Sequence, residues 1–250
     1  MTENSKQLII FDKDGTLTPS KGPMDQEMAD LFMKLLEKKK VAVISGSGFP
    51  LFENQVLKML PFGSKNLSNL YILPASGTKL FTWKGTWQAE YSEQLSEIEK
   101  KKVISSLQAA LKQADFVQPQ KMYGQLIEDR DSQITFSALG QEAPLAPKEA
   151  WDPKQEIRKK IITFLQPRIP EFDVRIGGTT SIDITKKGVN KAYGIRKLEA
   201  FLKLQAESIL FVGDALYYGG NDYPAKATGV DCIQVSGPEE TKKLISSFIL

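Results

Sequence analysis

Apolar residues along this chain fall into two patterns: short unbroken runs, and longer stretches spaced three and four apart. The runs are Leu8-Ile9-Ile10-Phe11, Val41-Ala42-Val43-Ile44, Leu70-Tyr71-Ile72-Leu73 and Ile209-Leu210-Phe211-Val212. Runs this short, without polar interruption, read as strands buried on both faces of a parallel sheet. Between the first two, Met28, Leu31, Phe32, Leu35 and Leu36 share one helical face. Asp25 is placed to cap that helix, which ends near Lys39. A second helix is read through Phe52–Leu60, and a third from Lys191 to near Leu204, capped by Asn190. Gly229 to Val235 is the last strand, and a helix from near Pro238 follows it. Strand, helix and strand in alternation predict an α/β fold built on a parallel sheet.

The pattern changes near Thr82. Lys79–Trp83 and Thr86–Tyr91 read as a hairpin about Lys84-Gly85, and Ser96 with Glu99 forms a capping box for a helix to near Gln113. Gln133 to Leu139 alternates strictly, as a strand with one polar face does. Asp152-Pro153-Lys154-Gln155 reads as a cap, a first-turn proline and a third-position glutamine, opening a helix to near Leu165. Two strands, Phe172–Ile176 and Ser181–Thr185, close the region. Residues 86–186 are therefore expected to form an α+β domain inserted into a core of residues 1–85 and 187–250, with hinges near 83–86 and 186–188. The polar strand faces of the insert carry Thr135, Ser137, Ser181 and Asp183. Such a face is either ordinary solvent-facing alternation or the inner face of a lid over a substrate.

Chemistry gathers where the buried runs stop. The first ends in Asp12-Lys13-Asp14-Gly15-Thr16, whose two acids lie one residue apart and share a side while the chain stays extended. Two carboxylates that close call for a cation or a shared proton. The second run ends in Ser45-Gly46-Ser47-Gly48, a turn that next to Asp12 reads as a phosphate cradle of hydroxyl and backbone N–H groups. The fourth ends in Gly213-Asp214, with Asn221-Asp222 beyond a loop. Lys191 sits in the first turn of its helix, where dipole and ammonium both favour an anion. Open parallel sheets place their sites at these carboxyl ends. All-oxygen ligands indicate a hard cation, most simply Mg²⁺, and the ensemble suits phosphoryl transfer with a carboxylate as nucleophile.

Composition narrows this further. Among the 250 residues there is no histidine, which excludes histidine bases, phosphohistidine and histidine-ligated zinc, and leaves acid–base work to carboxylates, lysines and tyrosines. Cys232 is the single cysteine, so an internal disulfide is excluded and a reducing compartment expected. The net charge of +3 is spread along the chain and gives no footprint for nucleic acid. No apolar run approaches a bilayer span, and residues 1–6 lack the apolar core of a signal peptide, so a cytoplasmic protein without membrane contact is expected.

With these motifs in order, Asp12-Lys13-Asp14-Gly15-Thr16, Ser45, Lys191 and Gly213-Asp214 with Asn221-Asp222, the chain resembles the haloacid dehalogenase superfamily along its whole length. The insert lies where the Cof-like subfamily IIB branch carries its cap. That resemblance implies a Rossmann-like core with an inserted α+β cap. It implies Asp12 as nucleophile and metal ligand, Asp14 as acid–base residue, Ser45, Gly46 and Lys191 on the phosphate, and Asp214 with Asp222 anchoring Mg²⁺; Asp14 is counted with the metal set as well. Within the branch, Phe11 to Thr18, Ile176 to Asp183 and Gly219-Gly220-Asn221-Asp222 look like eukaryotic-type phosphomannomutases. By that likeness Ser181 and Asp183 touch sugar hydroxyls, Arg130 meets a second, distal phosphate, and homodimers formed through the cap are admitted. Gly140-Gln141 stands where that family has Gly-Arg, which weakens the distal phosphate site. The expectation is therefore a Mg²⁺-dependent phosphatase for a small phosphorylated metabolite, a sugar phosphate, through an aspartyl-phosphate. The alternative is a phosphomannomutase-type isomerase interconverting hexose 1- and 6-phosphates.

Overall fold

The computed structural model describes residues 5–20 and 22–249; residues 1–4, Lys21 and Leu250 lie outside it. The chain divides into two compact units, residues 1–92 with 189–250, and residues 93–188.

The first unit is built on β1 (Leu8–Asp12), α1 (Gln26–Lys38), β2 (Lys40–Ile44), α2 (Phe49–Gln55), β3 (Leu70–Leu73), β4 (Lys79–Trp83) and β5 (Trp87–Ser92). The second unit contributes α3 (Glu97–Gln113), β6 (Ile127–Asp129), β7 (Gln133–Ser137), α4 (Leu145–Trp151), α5 (Glu156–Leu165), β8 (Phe172–Gly177) and β9 (Ser181–Lys186). The first unit then resumes with α6 (Lys191–Leu202), β10 (Ile209–Gly213), β11 (Asp231–Gln234) and α7 (Pro238–Ile249).

The large sheet has the order β11-β10-β1-β2-β3-β4-β5. Its first five strands run parallel, and β4 and β5 add an antiparallel hairpin at one edge. Alternate residues of the buried runs go to opposite faces, as strand geometry demands. Ile9, Phe11, Val41, Val43, Leu210 and Val212 pack with Phe32, Leu35, Leu36, Ile245 and Phe248 of α1 and α7. Leu8, Ile10, Ala42, Ile44, Ile209 and Phe211 pack with Ile195 and Leu198 of α6. Fully burying each such side chain contributes about 1.5–3 kcal/mol, which is why these apolar runs settle in the sheet interior. Asp25 caps α1 as expected, its Oδ1 accepting from the Met28 N–H at 2.8 Å.

Strand order turns around at β1. The chain proceeds to β2 and β3 on one side, then returns to place β10 and β11 on the other. Sites in open α/β sheets form at such a switch, beyond the carboxyl ends of the strands. Asp12 closes β1 there, and its parity with Leu8 and Ile10 puts it on the face that α6 covers.

In the second unit the sheet order is β6-β7-β9-β8, antiparallel throughout. Ile134, Phe136, Ile182 and Ile184 form one face under Val103, Leu107, Ile161 and Leu165 of α3 and α5. The expected boundary at residue 86 is corrected to 93. β5 pairs with β4, so Lys84 to Thr86 is a hairpin turn, with the Lys84 N–H donating to the Thr86 carbonyl, rather than a crossing between units. No helix among the described residues is long and apolar enough to cross a membrane.

Candidate active site

Asp12, Asp214 and Asp222 converge: one carboxylate oxygen from each lies within 4.8 Å of the others. Asp12 Oδ1 accepts from Lys191 Nζ at 2.5 Å, while its Oδ2 is buried with no hydrogen-bond partner. Asp222 is fully buried; its Oδ1 also accepts from Lys191, and its Oδ2 from the Ala215 N–H at 2.9 Å. Asp214 lies just past β10 and accepts from Thr16 Oγ1 at 3.4 Å. Two glycines make room for this packing. A Cβ on Gly15, whose φ is +82°, would sit 2.6 Å from Asp214 Oδ2, and one on Gly213 would sit 2.4 Å from Asp222 Oδ2. Lys191 opens α6 behind the Asn190 cap, which accepts from the Tyr193 N–H at 3.1 Å.

Three carboxylates thus face one ammonium. Burial works against the charge on Lys191, but Asp12 and Asp222 outweigh it and hold the amine above the ordinary lysine range. Burial pushes the Asp12 carboxyl up to about 7 against the pull of Lys191, and the charge of Asp222 adds to the rise. Asp214 is raised too, by burial first and then by Asp222. An unpartnered buried oxygen and a deficit of positive charge are what a dication would supply. The donor set, all carboxylate oxygen, fits Mg²⁺.

Asp14 is not in this set, which corrects the expectation of four acidic ligands. Its carboxylate is turned aside, accepting from Lys13 Nζ at 2.9 Å and from Ser45 Oγ at 3.3 Å. Just past β1 the chain stops being extended and enters a turn in which the Leu17 and Thr18 N–H groups donate to the Lys13 carbonyl, so the shared side of the two acids is lost. Ser45 Oγ in turn accepts from the Ser47 N–H at 3.1 Å, so the cradle closes on itself through Gly46. A second turn braces it: the Ala75 N–H donates to the Ser47 carbonyl and the Ser76 N–H to the Ser45 carbonyl. Ala75 and Ser76 hold positive φ of 47° and 58°, a conformation that costs a non-glycine residue energy and gathers at functional sites.

The second unit holds the other expected residues. Ser181 pairs with Ser137 across β9 and β7, and Asp183 Oδ1 accepts from Thr135 Oγ1 at 2.8 Å, so all four share the polar face that alternation indicated. Arg130 is engaged by Glu128, donating from Nε at 3.1 Å and from a terminal nitrogen at 2.8 Å. The Gln141 carbonyl accepts from Lys148 Nζ at 2.6 Å, and its side-chain amide nitrogen is buried without a partner.

Lys13 was passed over in the sequence, although it stands between the two acids. It is 1% exposed, and a charged residue inside so acidic a motif was the available signal.

The family profile for eukaryotic phosphomannomutase matches residues 28–250. Among curated proteins, a phosphomannomutase of Encephalitozoon cuniculi is 27% identical, covering 100% of this chain and 96% of its own length. The spinach (Spinacia oleracea) phosphomannomutase is 26% identical over 97% of this chain and 96% of its own. Among solved structures, an IMP-nucleotidase of Plasmodium falciparum superposes with a TM-score of 0.71 at 19% identity, covering 99% of this chain and 69% of that one. A haloacid dehalogenase-like hydrolase of Bacteroides thetaiotaomicron superposes with a TM-score of 0.64 at 15% identity, covering 97% and 99%. The structural likenesses establish the fold, and with the profile match the chain belongs to the eukaryotic phosphomannomutase family, enzymes of the haloacid dehalogenase superfamily.

Proposed function

We propose that this enzyme moves a phosphoryl group between the 1 and 6 positions of a hexose phosphate. One observation carries the reading. The convergence of Asp12, Asp214 and Asp222, the first and last of them held by Lys191, suits phosphoryl transfer and supports the reading in a chain whose relatives over nearly their full length are phosphomannomutases. Asp12 offers two carboxylate oxygens, one for a cation and one for phosphorus. Its attack forms an acyl phosphate and breaks the bond to the sugar oxygen, which takes its proton from Asp14. In the second half Asp14 takes a proton from the accepting hydroxyl as that oxygen attacks the phosphoryl group and Asp12 leaves. Lys191 and the Ser45–Ser47 loop orient the phosphoryl oxygens. Mg²⁺, held by Asp12, Asp214 and Asp222, would neutralise the charge those oxygens carry.

The second reading is hydrolysis, with water as acceptor. Gln141 favours it, because an uncharged amide holds a second phosphate less well than arginine, and so does the engagement of Arg130 by Glu128. An isomerase has to retain a bisphosphorylated intermediate; a phosphatase does not. The deciding experiment supplies hexose 1-phosphate, Mg²⁺ and a hexose bisphosphate activator, and measures hexose 6-phosphate and free phosphate together. Isomer formation outrunning phosphate release supports the isomerase. Phosphate release without isomer overturns it in favour of the phosphatase. Asp12→Asn keeps the shape of the side chain and should abolish both reactions with circular dichroism unchanged.

A further inference from the structure

Lys13 is an odd residue to find inside this site. It follows a buried strand and is itself 1% exposed, yet it carries a full charge. Its chain curls back so that Nζ donates to Asp14 Oδ1 at 2.9 Å and to Gln55 Oε1 at the end of α2, and lies 5.9 Å from the centre of the Phe52 ring. An apolar side chain of the same length would fill that space at lower cost, since removing an ammonium from water is repaid only by good partners. The charge therefore acts on something, and the charged group it touches is Asp14.

Asp14 is two residues from Asp12 but outside the group formed by Asp12, Asp214 and Asp222. Each of its oxygens has a donor: Lys13 on Oδ1, and the Ser45 hydroxyl on Oδ2 at 3.3 Å. Without Lys13 this carboxylate loses its charged partner and keeps the Ser45 hydroxyl, beside a site that attracts a dication. A carboxylate captured by the metal no longer reaches the leaving oxygen with its proton. We infer that Lys13 is a positioning residue, which with Gln55 behind it holds Asp14 out of the metal set and aims it for proton transfer. The inference rests on the roles of Asp12 and Asp14 in the proposed reaction.

The test uses the leaving group. In the first half-reaction the bond from phosphorus to the departing oxygen breaks, and Asp14 gives that oxygen its proton. A sugar alkoxide needs the proton; p-nitrophenolate leaves without it. In single-turnover measurements on the Mg²⁺-loaded enzyme, Lys13→Met should slow alcohol release from a hexose 6-phosphate by about thirtyfold or more, and the p-nitrophenol burst from p-nitrophenyl phosphate by less than about threefold. Equal slowing of both, as a general structural defect would give, or slowing of neither, overturns the inference. Gln55→Glu draws the ammonium away from Asp14 at nearly constant shape. It should give the same pattern in weaker form, and it decides the matter if Lys13→Met does not fold.

A second readout needs no turnover. Mg²⁺ titration calorimetry on the substrate-free protein compares Asp14→Asn in two backgrounds. It should change the Mg²⁺ Kd by less than about threefold with Lys13 present, and weaken binding by about tenfold or more in Lys13→Met or, failing that, in Gln55→Glu. The same change in both backgrounds overturns the inference. If the unsubstituted enzyme forms no phosphoenzyme with either substrate, the catalytic reading fails by itself, and calorimetry still judges whether Lys13 keeps Asp14 from the metal.

Discussion

At the scale of single residues, three carboxylates against one ammonium make a strained charge balance that a cation relieves. A ligand that binds only the folded state stabilises it by about 2.7 kcal/mol at a hundred times its Kd. For a chain of this size that is roughly 5–10 °C in Tm. Thermal scans in EDTA and in saturating Mg²⁺ should differ by that much, and Asp214→Asn should lose most of the difference. An unchanged Tm in the native protein would mean that the acidic cluster binds no metal. Cys232 gives a control elsewhere: burial pushes its thiol up to about 11, so iodoacetamide should label it slowly until the protein is unfolded in urea. Asp12, Asp214 and Lys191 stand at strand ends or a helix start, where position follows from the backbone alone, whereas Asp222 lies beyond a loop and was placed by its motif. Asp14 was misread and Lys13 passed over for one reason. Alternation put the two acids on one side, but the chain turns after β1, and the Lys13 side chain is long enough to come back to Asp14.

Elements were legible where the caps are local. Asp25 and α1 are the clearest case, since the carboxylate both accepts from the Met28 N–H and pairs with Lys242 at 2.9 Å. Asp25→Ala should cost about 1 kcal/mol in urea unfolding. Lys242, and after it the Met28 N–H, hold the Asp25 carboxyl below its usual range. Its contribution is therefore present above the unfolded pKa of about 3.9 and fades as pH falls through the lower folded value. The penalty of the alanine variant should shrink accordingly between neutral pH and pH 3; a constant penalty would point to side-chain packing instead. Asp152 shows how a cap can be found and misplaced. It does cap α5, accepting from the Ile157 and Arg158 N–H groups, but from one turn further back, so the helix starts at Glu156. Its carboxylate also pairs with the buried Arg158, which reaches on to the Gly178 carbonyl, a long-range tie that no local pattern announces. β6 and α4 escaped notice because a strand of 3 residues and a helix of 7 are too short to establish a period.

At the scale of the molecule, the insertion was legible and its edge was not, because the last hairpin of the large sheet resembles the first hairpin of a new one. Residues 93–188 have their own hydrophobic core and their own sheet, so that segment expressed alone should unfold in a single cooperative thermal transition. A fragment with no transition would show that the second unit depends on the first. The first unit has no such independence, since β1 lies between β2 and β10, and Lys6 beside it hydrogen-bonds Glu207, 201 residues further on. During translation at about 5–20 residues per second, the oldest strand therefore waits on the order of 10–40 s with one edge open before its partner leaves the ribosome. Asp12 waits with it, and no prematurely terminated product lacking β10 can assemble a working site. A nascent chain held in that interval is also the form most exposed to pairing with the wrong edge, so chaperone dependence should track that delay.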